Sequence, residues 1–294
     1  HVSLDEITRQ FNRDGGNFES SSAYHILSLE MACLMFEYGR TQSELRYPFW
    51  SDIIFPQHLA DKQWLLDEVP VRIRLAIDYV EQLRKPNGKI WKYGDNDSGY
   101  IFAWNHCTVL IEDELFIDDR FKKSAYIYFH YIKNKYFSTN ALRNRTHNFN
   151  AETKKENTKF LEKVHVAEYE TVELNFRDGR IYAESGTYIY NHGNVFLAIN
   201  FTPDGQNGLG GRSHMDTGSY ELTLGHEDLV IDPGSPTYTG SVEKRELYRS
   251  PAVHGLPNEF SQYYETPDLF SSKNKCDSNF KMISGSRIEI RLSS

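Results

Sequence analysis

The chain has 294 residues, of which 39% are hydrophobic and 25% charged, as expected for a globular protein with a substantial core. Its formal net charge of −8 argues against a general nucleic-acid binder, and no apolar run is long enough to span a membrane. The three cysteines (Cys33, Cys107 and Cys276) are widely spaced and odd in number, so they predict no disulfide framework.

Helical patterns dominate the first half of the chain. Leu4–Phe11 predicts a short helix, and Ser20–Ser22 open a longer helix that continues to about Tyr38 because apolar residues recur at helical spacing. Two further helical segments are predicted over 56–83 and 119–136. We expect a break near Val69–Pro70, because proline removes a backbone donor and clashes with the preceding turn.

The second half of the chain is typical of β-strands. Runs rich in β-branched and aromatic residues are separated by Asp-Gly, Ser-Gly and His-Gly-Asn turns, and the predicted strands are 164–176, 180–185, 187–191, 195–201, 218–224 and 227–232. Helices followed by strands predict an α+β protein. The predicted organisation is a helical domain over 1–155 and an antiparallel β-domain over 156–294.

A group of metal-ligating residue types surrounds the last predicted hairpin, whose turn is Gly225–His226. His214 precedes the hairpin, Asp232 ends it, and His254 follows a polar loop. Two imidazoles and a carboxylate are suitable ligands for zinc. The chain has no HExxH or CxxC signature, however, and the same residues are also consistent with two loop histidines and an acid that accepts turn hydrogen bonds.

Three stretches of the chain resemble the heparinase II/III-like polysaccharide lyases. DGGNFESSSAYH at 14–25 matches a pattern that opens a helix of the family's (α/α) toroid, and GDNDSG at 94–99 matches a family loop. The stretch 211–254 resembles the family's C-terminal β-domain, and its matching residues are Gly211, His214, Asp216, Ser219, Tyr220, Glu221, Leu222, Asp232, Pro233, Gly234, Tyr238, Arg249, Ser250 and His254. The resemblance implies part of an (α/α) toroid followed by an antiparallel β-sandwich.

The resemblance also implies a cofactor, a substrate class and a compartment. By analogy with the family, His214, Asp232 and His254 would bind a zinc ion whose role is mainly structural. The expected partner is an acidic, uronate-containing polysaccharide or oligosaccharide, such as alginate or a glycosaminoglycan, and the expected location is the periplasm or cell envelope. Members usually have further toroid helices before the first motif, with an Asn-His pair, so the resemblance implies either part of a longer chain or a reduced relative.

The reaction of the family is β-elimination at a uronic acid. Tyr24 matches the position of a tyrosine that removes the C5 proton and protonates the leaving oxygen. Arg212 stands where many members have a histidine; it cannot accept a proton, but it can bind a carboxylate bidentately, and we expect it to neutralise the uronate. The positions expected to bind substrate are Asn17, Glu19, His25, Asp95, Asp97, Tyr238 and Arg249.

Two alternative functions remain open from the sequence. The first is a non-catalytic or modified relative that binds glycan during surface-polysaccharide assembly, which the arginine at 212 favours. The second is a zinc-dependent hydrolase in which Asp216 acts as the base. Without the resemblance, Tyr24 would be interpreted as a core tyrosine with a bonded hydroxyl.

Overall fold

The computed structural model describes residues 2–44, 63–96, 119–137, 162–164, 172–202, 204–256, 264–268, 270–274 and 277–293. Its four long helices are α1 (Val2–Gln10), α2 (Ser22–Glu44), α3 (Gln63–Gln82) and α4 (Asp119–Phe137). These helices confirm the predicted helical segments within the described residues, with α2 longer than expected, whereas positions 56–62 of the third segment lie outside the described residues. None of the described helices combines the length and apolar character needed to cross a membrane.

The predicted break near Val69–Pro70 is wrong, because α3 continues through Pro70. Val69 and Ile73, on either side of the proline, are buried in the helical core. The burial of two aliphatic side chains, each about 1.5–3 kcal/mol, is large enough to offset a proline cost of about 3 kcal/mol.

The helices pack around one apolar cluster. Three helices contribute residues that lie about one turn apart on a single face, and α1 adds Ile7. The contributing pairs include Leu29 and Cys33 of α2, Ile73 and Ile77 of α3, and Phe129 and Ile132 of α4. This cluster buries Cys33, whose thiol is free.

The strands are antiparallel throughout the described part of the chain. They are β1 (Glu162–Val164), β2 (Val172–Leu174), β3 (Arg180–Tyr182), β4 (Thr187–His192), β5 (Val195–Asn200), β6 (Tyr220–Leu224), β7 (Glu227–Val230), β8 (Tyr264–Asp268), β9 (Ser271–Asn274), β10 (Asp277–Ser284) and β11 (Arg287–Ser293). Strands β3 to β7 form a five-stranded sheet in sequence order, and the other six form three two-stranded pairs. The single strand predicted over 164–176 is wrong, because Val164 of β1 pairs with Val172 of β2 and the chain reverses between them.

The five-stranded sheet is covered on both faces. On one face, Ile189 and Phe196 pack against Tyr79, Leu83 and Trp91 from the helical half. The other face carries Tyr188 and Phe201, which pack against β10 and β11 through Phe280 and other apolar side chains. The α+β class and the order of helices before strands are therefore confirmed, and two β-layers lie face to face. The predicted boundary at 155 lies outside the described residues, and the division into two domains stays a prediction.

The prediction that a polar loop precedes His254 is wrong in one respect. It contains α6 (Val242–Arg249), which follows the single-turn α5 (Gly205–Gly208) in chain order. The hydroxyl of Ser241 caps α6 by accepting a hydrogen bond from the Lys244 amide at 3.3 Å. Arg245 and Arg249, one turn apart, form the buried face of this helix, so its buried face consists of charged residues.

Candidate functional site

The start of α2 places Tyr24. Ser21 caps the helix, because its hydroxyl accepts a hydrogen bond from the Tyr24 amide at 3.2 Å. The same hydroxyl donates to the Asp95 carbonyl at 2.6 Å, and the Ser22 amide donates to the Tyr93 carbonyl at 3.0 Å. Residues 93–95 therefore hold the first turn of α2, and Tyr24 belongs to this turn.

Gly94 allows three segments to meet beside this helix. It adopts a φ of +71°, and a Cβ at this position would lie 2.4 Å from the Ser20 carbonyl oxygen and 2.9 Å from that of Arg212. The next amide, of Asp95, donates to the Arg212 carbonyl at 2.8 Å. Glycine is required here both for the backbone conformation and for the close approach.

The two predicted catalytic residues are in contact. Arg212 Nη1 donates a hydrogen bond to the Tyr24 hydroxyl. The guanidinium carbon also lies 4.0 Å from the Tyr24 ring centroid and 4.4 Å from that of Tyr238, so both rings fix its orientation. Tyr24 is 7% exposed and Arg212 is half-buried, so the guanidinium is the more accessible partner. Their catalytic roles stay predictions.

His214, Asp232 and His254 come together in a buried group able to hold a metal ion. One donor atom from each lies within 4.8 Å of the other two. His214 and His254 are 2% and 6% exposed, and the Asp232 side chain is 5% exposed. All four imidazole nitrogens and one Asp232 oxygen lack a hydrogen-bond partner. Buried polar atoms are rarely left unbonded, so this set fits a bound cation.

The charges around the group also suit a cation. Burial raises the pKa of the neighbouring Asp216 carboxyl, and Asp232 adds to this rise although both histidines oppose it. Burial alone would lower the pKa of His254, but Asp232 and Asp216 raise it to about 9. Two buried carboxylates therefore attract positive charge to this position.

An ion pair anchors β6 beside the metal group. The Lys85 ammonium donates to Glu221 Oε1, and Glu221 Oε2 accepts a hydrogen bond from the Asp232 amide at 3.2 Å. Burial raises the pKa of Glu221 to about 7, although Lys85 lowers it. Glu221 thus fixes the backbone of a metal-ligating residue from the helical side of the sheet.

Some predicted substrate-binding residues have internal partners. His25 is fully buried, its Nε2 lies 3.1 Å from the Ala76 carbonyl oxygen, and its ring stacks on Tyr79. Burial lowers the pKa of His25 to about 4, and the imidazole is therefore neutral at pH 7. Asn17 is buried and accepts from the Glu19 amide at 2.9 Å, while the Glu19 carboxylate accepts from Gln206 at 3.3 Å.

Of the remaining predicted binding residues, Tyr238 is half-buried beside Arg212, Asp95 and Arg249 are enclosed, and one lies outside the described part of the chain. Asp95 is fully buried and accepts a hydrogen bond from Arg245 at 2.6 Å, so contact with a substrate would require this ion pair to open. Arg249 is fully buried and donates to Glu246 and to the Ser271 carbonyl, both at 3.1 Å. Asp97 lies outside the described residues. A substrate-binding role for each stays a prediction.

Sequence analysis missed Arg245. It lies in α6, donates to Asp95 and to the Gly211 carbonyl, and stacks on the Tyr238 and Phe270 rings at 4.9 and 5.2 Å. The available signal was the Ser241 cap followed by arginines four residues apart, which is a helical spacing.

Comparison with protein-family models identifies part of this region. Residues 177–256 match the model described as heparinase II/III-like, C-terminal. This segment is therefore similar to the C-terminal part of heparinase II/III-like proteins. The family resemblance inferred from the sequence is therefore confirmed for the part of the chain that carries Arg212 and the whole His-Asp-His group, whereas Tyr24 and Asp95 precede it.

Solved structures show a looser similarity. A heparinase III structure is 13% identical, with a TM-score of 0.48, and the match covers 96% of this chain and 36% of that chain. A heparan sulfate lyase from Pedobacter heparinus is 16% identical, with a TM-score of 0.47 and coverages of 86% and 31%. The chain thus spans about a third of the length of these structures, and at such scores the similarity assigns no role to any residue. Comparison with curated proteins found no match.

Within the heparinase II/III-like segment, the hairpin β6–β7 explains how the metal group forms. His214 precedes β6, Asp232 follows β7, and the turn Pro251–Val253 delivers His254 after α6. The Met215 amide donates to the Arg249 carbonyl at 2.9 Å, which ties the His214 loop to the end of α6. Backbone bonds therefore bring ligands 40 residues apart in sequence to one place.

Proposed function

We propose that this protein takes part in the cleavage of an acidic, uronate-containing polysaccharide by β-elimination. The observation that carries the proposal is the contact between Arg212 and Tyr24, in which a guanidinium donates to a phenol while held between two aromatic rings. The heparinase II/III-like segment around Arg212 supports the same substrate class.

The pair suits the difficult step of this reaction. The C5 proton of a uronate is weakly acidic, because its removal places further negative charge beside a carboxylate. Arg212 would bind that carboxylate and neutralise it. Tyr24, as the phenolate, would then take the C5 proton and pass it to the leaving glycosidic oxygen, as the bond from C4 to that oxygen breaks and a C4–C5 double bond forms; the phenolate is thereby regenerated. Arg212 stabilises negative charge on the Tyr24 oxygen during this exchange.

We further propose that the metal held by His214, Asp232 and His254 is zinc, with a mainly structural role. The donor set of two imidazoles and a carboxylate suits this ion, and the unbonded buried nitrogens leave lone pairs for it. When bound, zinc would supply an electrostatic link between the three loops. These residues would thereby fix the loop that presents Arg212, which lies two positions before His214. From the family resemblance we also propose a periplasmic or cell-envelope location.

The proposal is tested by the unsaturated uronate that the reaction produces, which absorbs ultraviolet light. Purified protein is incubated with alginate, heparan sulfate, hyaluronan and a neutral glucan as control. We expect absorbance to grow on an acidic glycan and to be lost in Tyr24→Phe, which keeps the ring against Arg212 but removes the hydroxyl. Growth that persists unchanged in Tyr24→Phe, or no growth on any acidic glycan, would contradict the proposed reaction.

Binding without cleavage is the second candidate. Arg212 cannot accept a proton, and the Tyr24 phenol is largely enclosed by its neighbours. Both features are also consistent with recognition of a carboxylate without turnover. Calorimetric titration with the same glycans separates the two functions, because binding with no absorbance growth would favour this candidate.

A further inference from the structure

A buried chain of charged groups leads to the proposed metal ligand His214. Arg245 Nη2 donates to Asp95 Oδ2 at 2.6 Å, and Asp95 Oδ1 lies 3.4 Å from His214 Nε2. The side chains of all three residues are fully enclosed. Asp95 Oδ1 and His214 Nε2 each lack a hydrogen-bond partner, so neither atom is committed elsewhere.

We infer that Asp95, held by Arg245, is a positioning residue for His214. It would accept a hydrogen bond from His214 Nε2 and so leave the Nδ1 lone pair for the metal. A neutral imidazole has one N–H donor and one acceptor nitrogen, so fixing the proton on Nε2 makes Nδ1 the ligand. Carboxylates that orient metal-bound histidines in this way raise metal affinity. The inference rests on the proposed metal site.

The separation of 3.4 Å between Asp95 Oδ1 and His214 Nε2 is slightly longer than a hydrogen bond of good geometry. The arginine prevents the carboxylate from turning away, because its own position is fixed by the Gly211 carbonyl at 3.3 Å and by the rings of Tyr238 and Phe270.

The backbone of Asp95 connects the metal group to the Tyr24–Arg212 pair. Its amide donates to the Arg212 carbonyl at 2.8 Å, and its carbonyl accepts from Ser21, the residue that caps the helix of Tyr24. Asp95 therefore contacts the loop of one catalytic candidate and the cap of the other, while its side chain faces His214. Displacement of Asp95 should therefore disturb both the metal group and the Tyr24–Arg212 pair.

Nuclear magnetic resonance of the zinc-loaded, ¹⁵N-labelled protein tests the inference directly. Long-range proton–nitrogen couplings distinguish a protonated from a metal-bound imidazole nitrogen. We expect His214 to show a protonated Nε2 and a metal-bound Nδ1. Zinc bound to Nε2 would overturn the inference while leaving the metal site intact. A wild-type protein that binds no zinc would overturn both.

Zinc affinity provides the second measurement. We expect Asp95→Asn to weaken zinc binding by about 10- to 100-fold, because the neutral amide is a poorer acceptor for Nε2–H. Ile73→Ala, a cavity variant in the helical core, serves as a matched control for general destabilisation and should retain wild-type affinity. Unchanged affinity in Asp95→Asn, or an equal loss in Ile73→Ala, would overturn the inference.

Discussion

Arg212 donates a hydrogen bond to the Tyr24 hydroxyl across 188 residues of sequence. The phenol comes from the first turn of a helix, and the guanidinium comes from a loop that precedes a sheet strand. Any reaction at this position therefore depends on how firmly the two halves of the chain hold each other.

Arg212→Lys tests the geometry of that contact. Lysine keeps the positive charge but loses the planar fork and the stacking between Tyr24 and Tyr238. If the lyase proposal is correct, kcat/KM should fall on the order of 100-fold, comparable with the loss of one electrostatic donor. Initial rates of ultraviolet absorbance on the preferred glycan provide the measurement. Arg177→Lys, at an exposed position, is the control, and equal rates in both variants would count against a role for Arg212.

Removal of a metal-ligating side chain should abolish zinc binding and, as a consequence, lower the stability of the fold. We expect wild-type protein to contain one zinc ion per chain by elemental analysis and His214→Ala to contain none, since a ligand of the buried group is lost. Zinc at 100 times its dissociation constant raises the free energy of unfolding by about 2.7 kcal/mol, so thermal unfolding of the wild type should depend on zinc. His226→Ala changes an exposed histidine of the same hairpin and should keep both properties. Stoichiometric zinc in His214→Ala would exclude this site.

The contribution of His25 to stability should fall as the pH is lowered from about 6.5 to 4, whereas the raised pKa of Glu221 acts in the opposite direction over part of this range. The pKa of His25 is 6.5 when unfolded and about 4 when folded, owing to burial, so the unfolded state binds the proton first. The stabilisation is complete above pH 6.5 and is lost as the pH falls through 4. Its size is on the order of 3 kcal/mol. Urea unfolding at several pH values measures it.

The variant His25→Gln isolates this contribution, because a glutamine amide can still donate to the Ala76 carbonyl but does not titrate. The stability of the wild type relative to this variant should therefore fall between pH 6.5 and 4. His192→Gln, which changes an exposed histidine, should keep the wild-type slope. If His25→Gln also keeps that slope, another group carries the pH dependence.

Alanine substitutions at two glycines of similar backbone conformation distinguish the stability cost of backbone strain from the cost of close atomic contact. Gly94 and Gly88 have φ values of +71° and +82°, but only at Gly94 would a Cβ meet other atoms within 4 Å. Gly88→Ala should cost about 1–2 kcal/mol for the left-handed conformation alone. Gly94→Ala should cost more, and it should also weaken the Tyr24–Arg212 contact because the Ser20 and Arg212 carbonyls must move. Denaturant unfolding measures the loss of stability in each variant. Equal losses would show that the atoms around Gly94 move aside at no further cost in stability.

Much of the fold could be predicted from the sequence, because it depends on local patterns. The hairpin β6–β7 follows from alternating residues around a Gly-His turn, and this hairpin brings His214 and Asp232 to the same end of the sheet. Helical periodicity likewise identified α2 with Tyr24 in its first turn. These features need only residues that lie close together in sequence.

The contacts that assemble the site could not be predicted in the same way. Asp95 and Arg245 are 150 residues apart, and no local pattern relates them. The helix that carries Arg245 buries charged rather than apolar residues, so its periodicity was mistaken for a polar loop. Pro70 predicted a break in the helix that does not occur, because tertiary packing of α3 outweighs the local tendency of proline to end a helix.

The apolar contacts between Tyr79, Leu83 and the five-stranded sheet have a practical consequence for protein engineering. A strand half truncated at the predicted boundary would leave Ile189 and Phe196 facing water, and the Thr187 hydroxyl would lose its hydrogen bond to Tyr79. Such a fragment should be prone to self-association. Expression of the strand half for crystallography or binder selection should therefore retain α3.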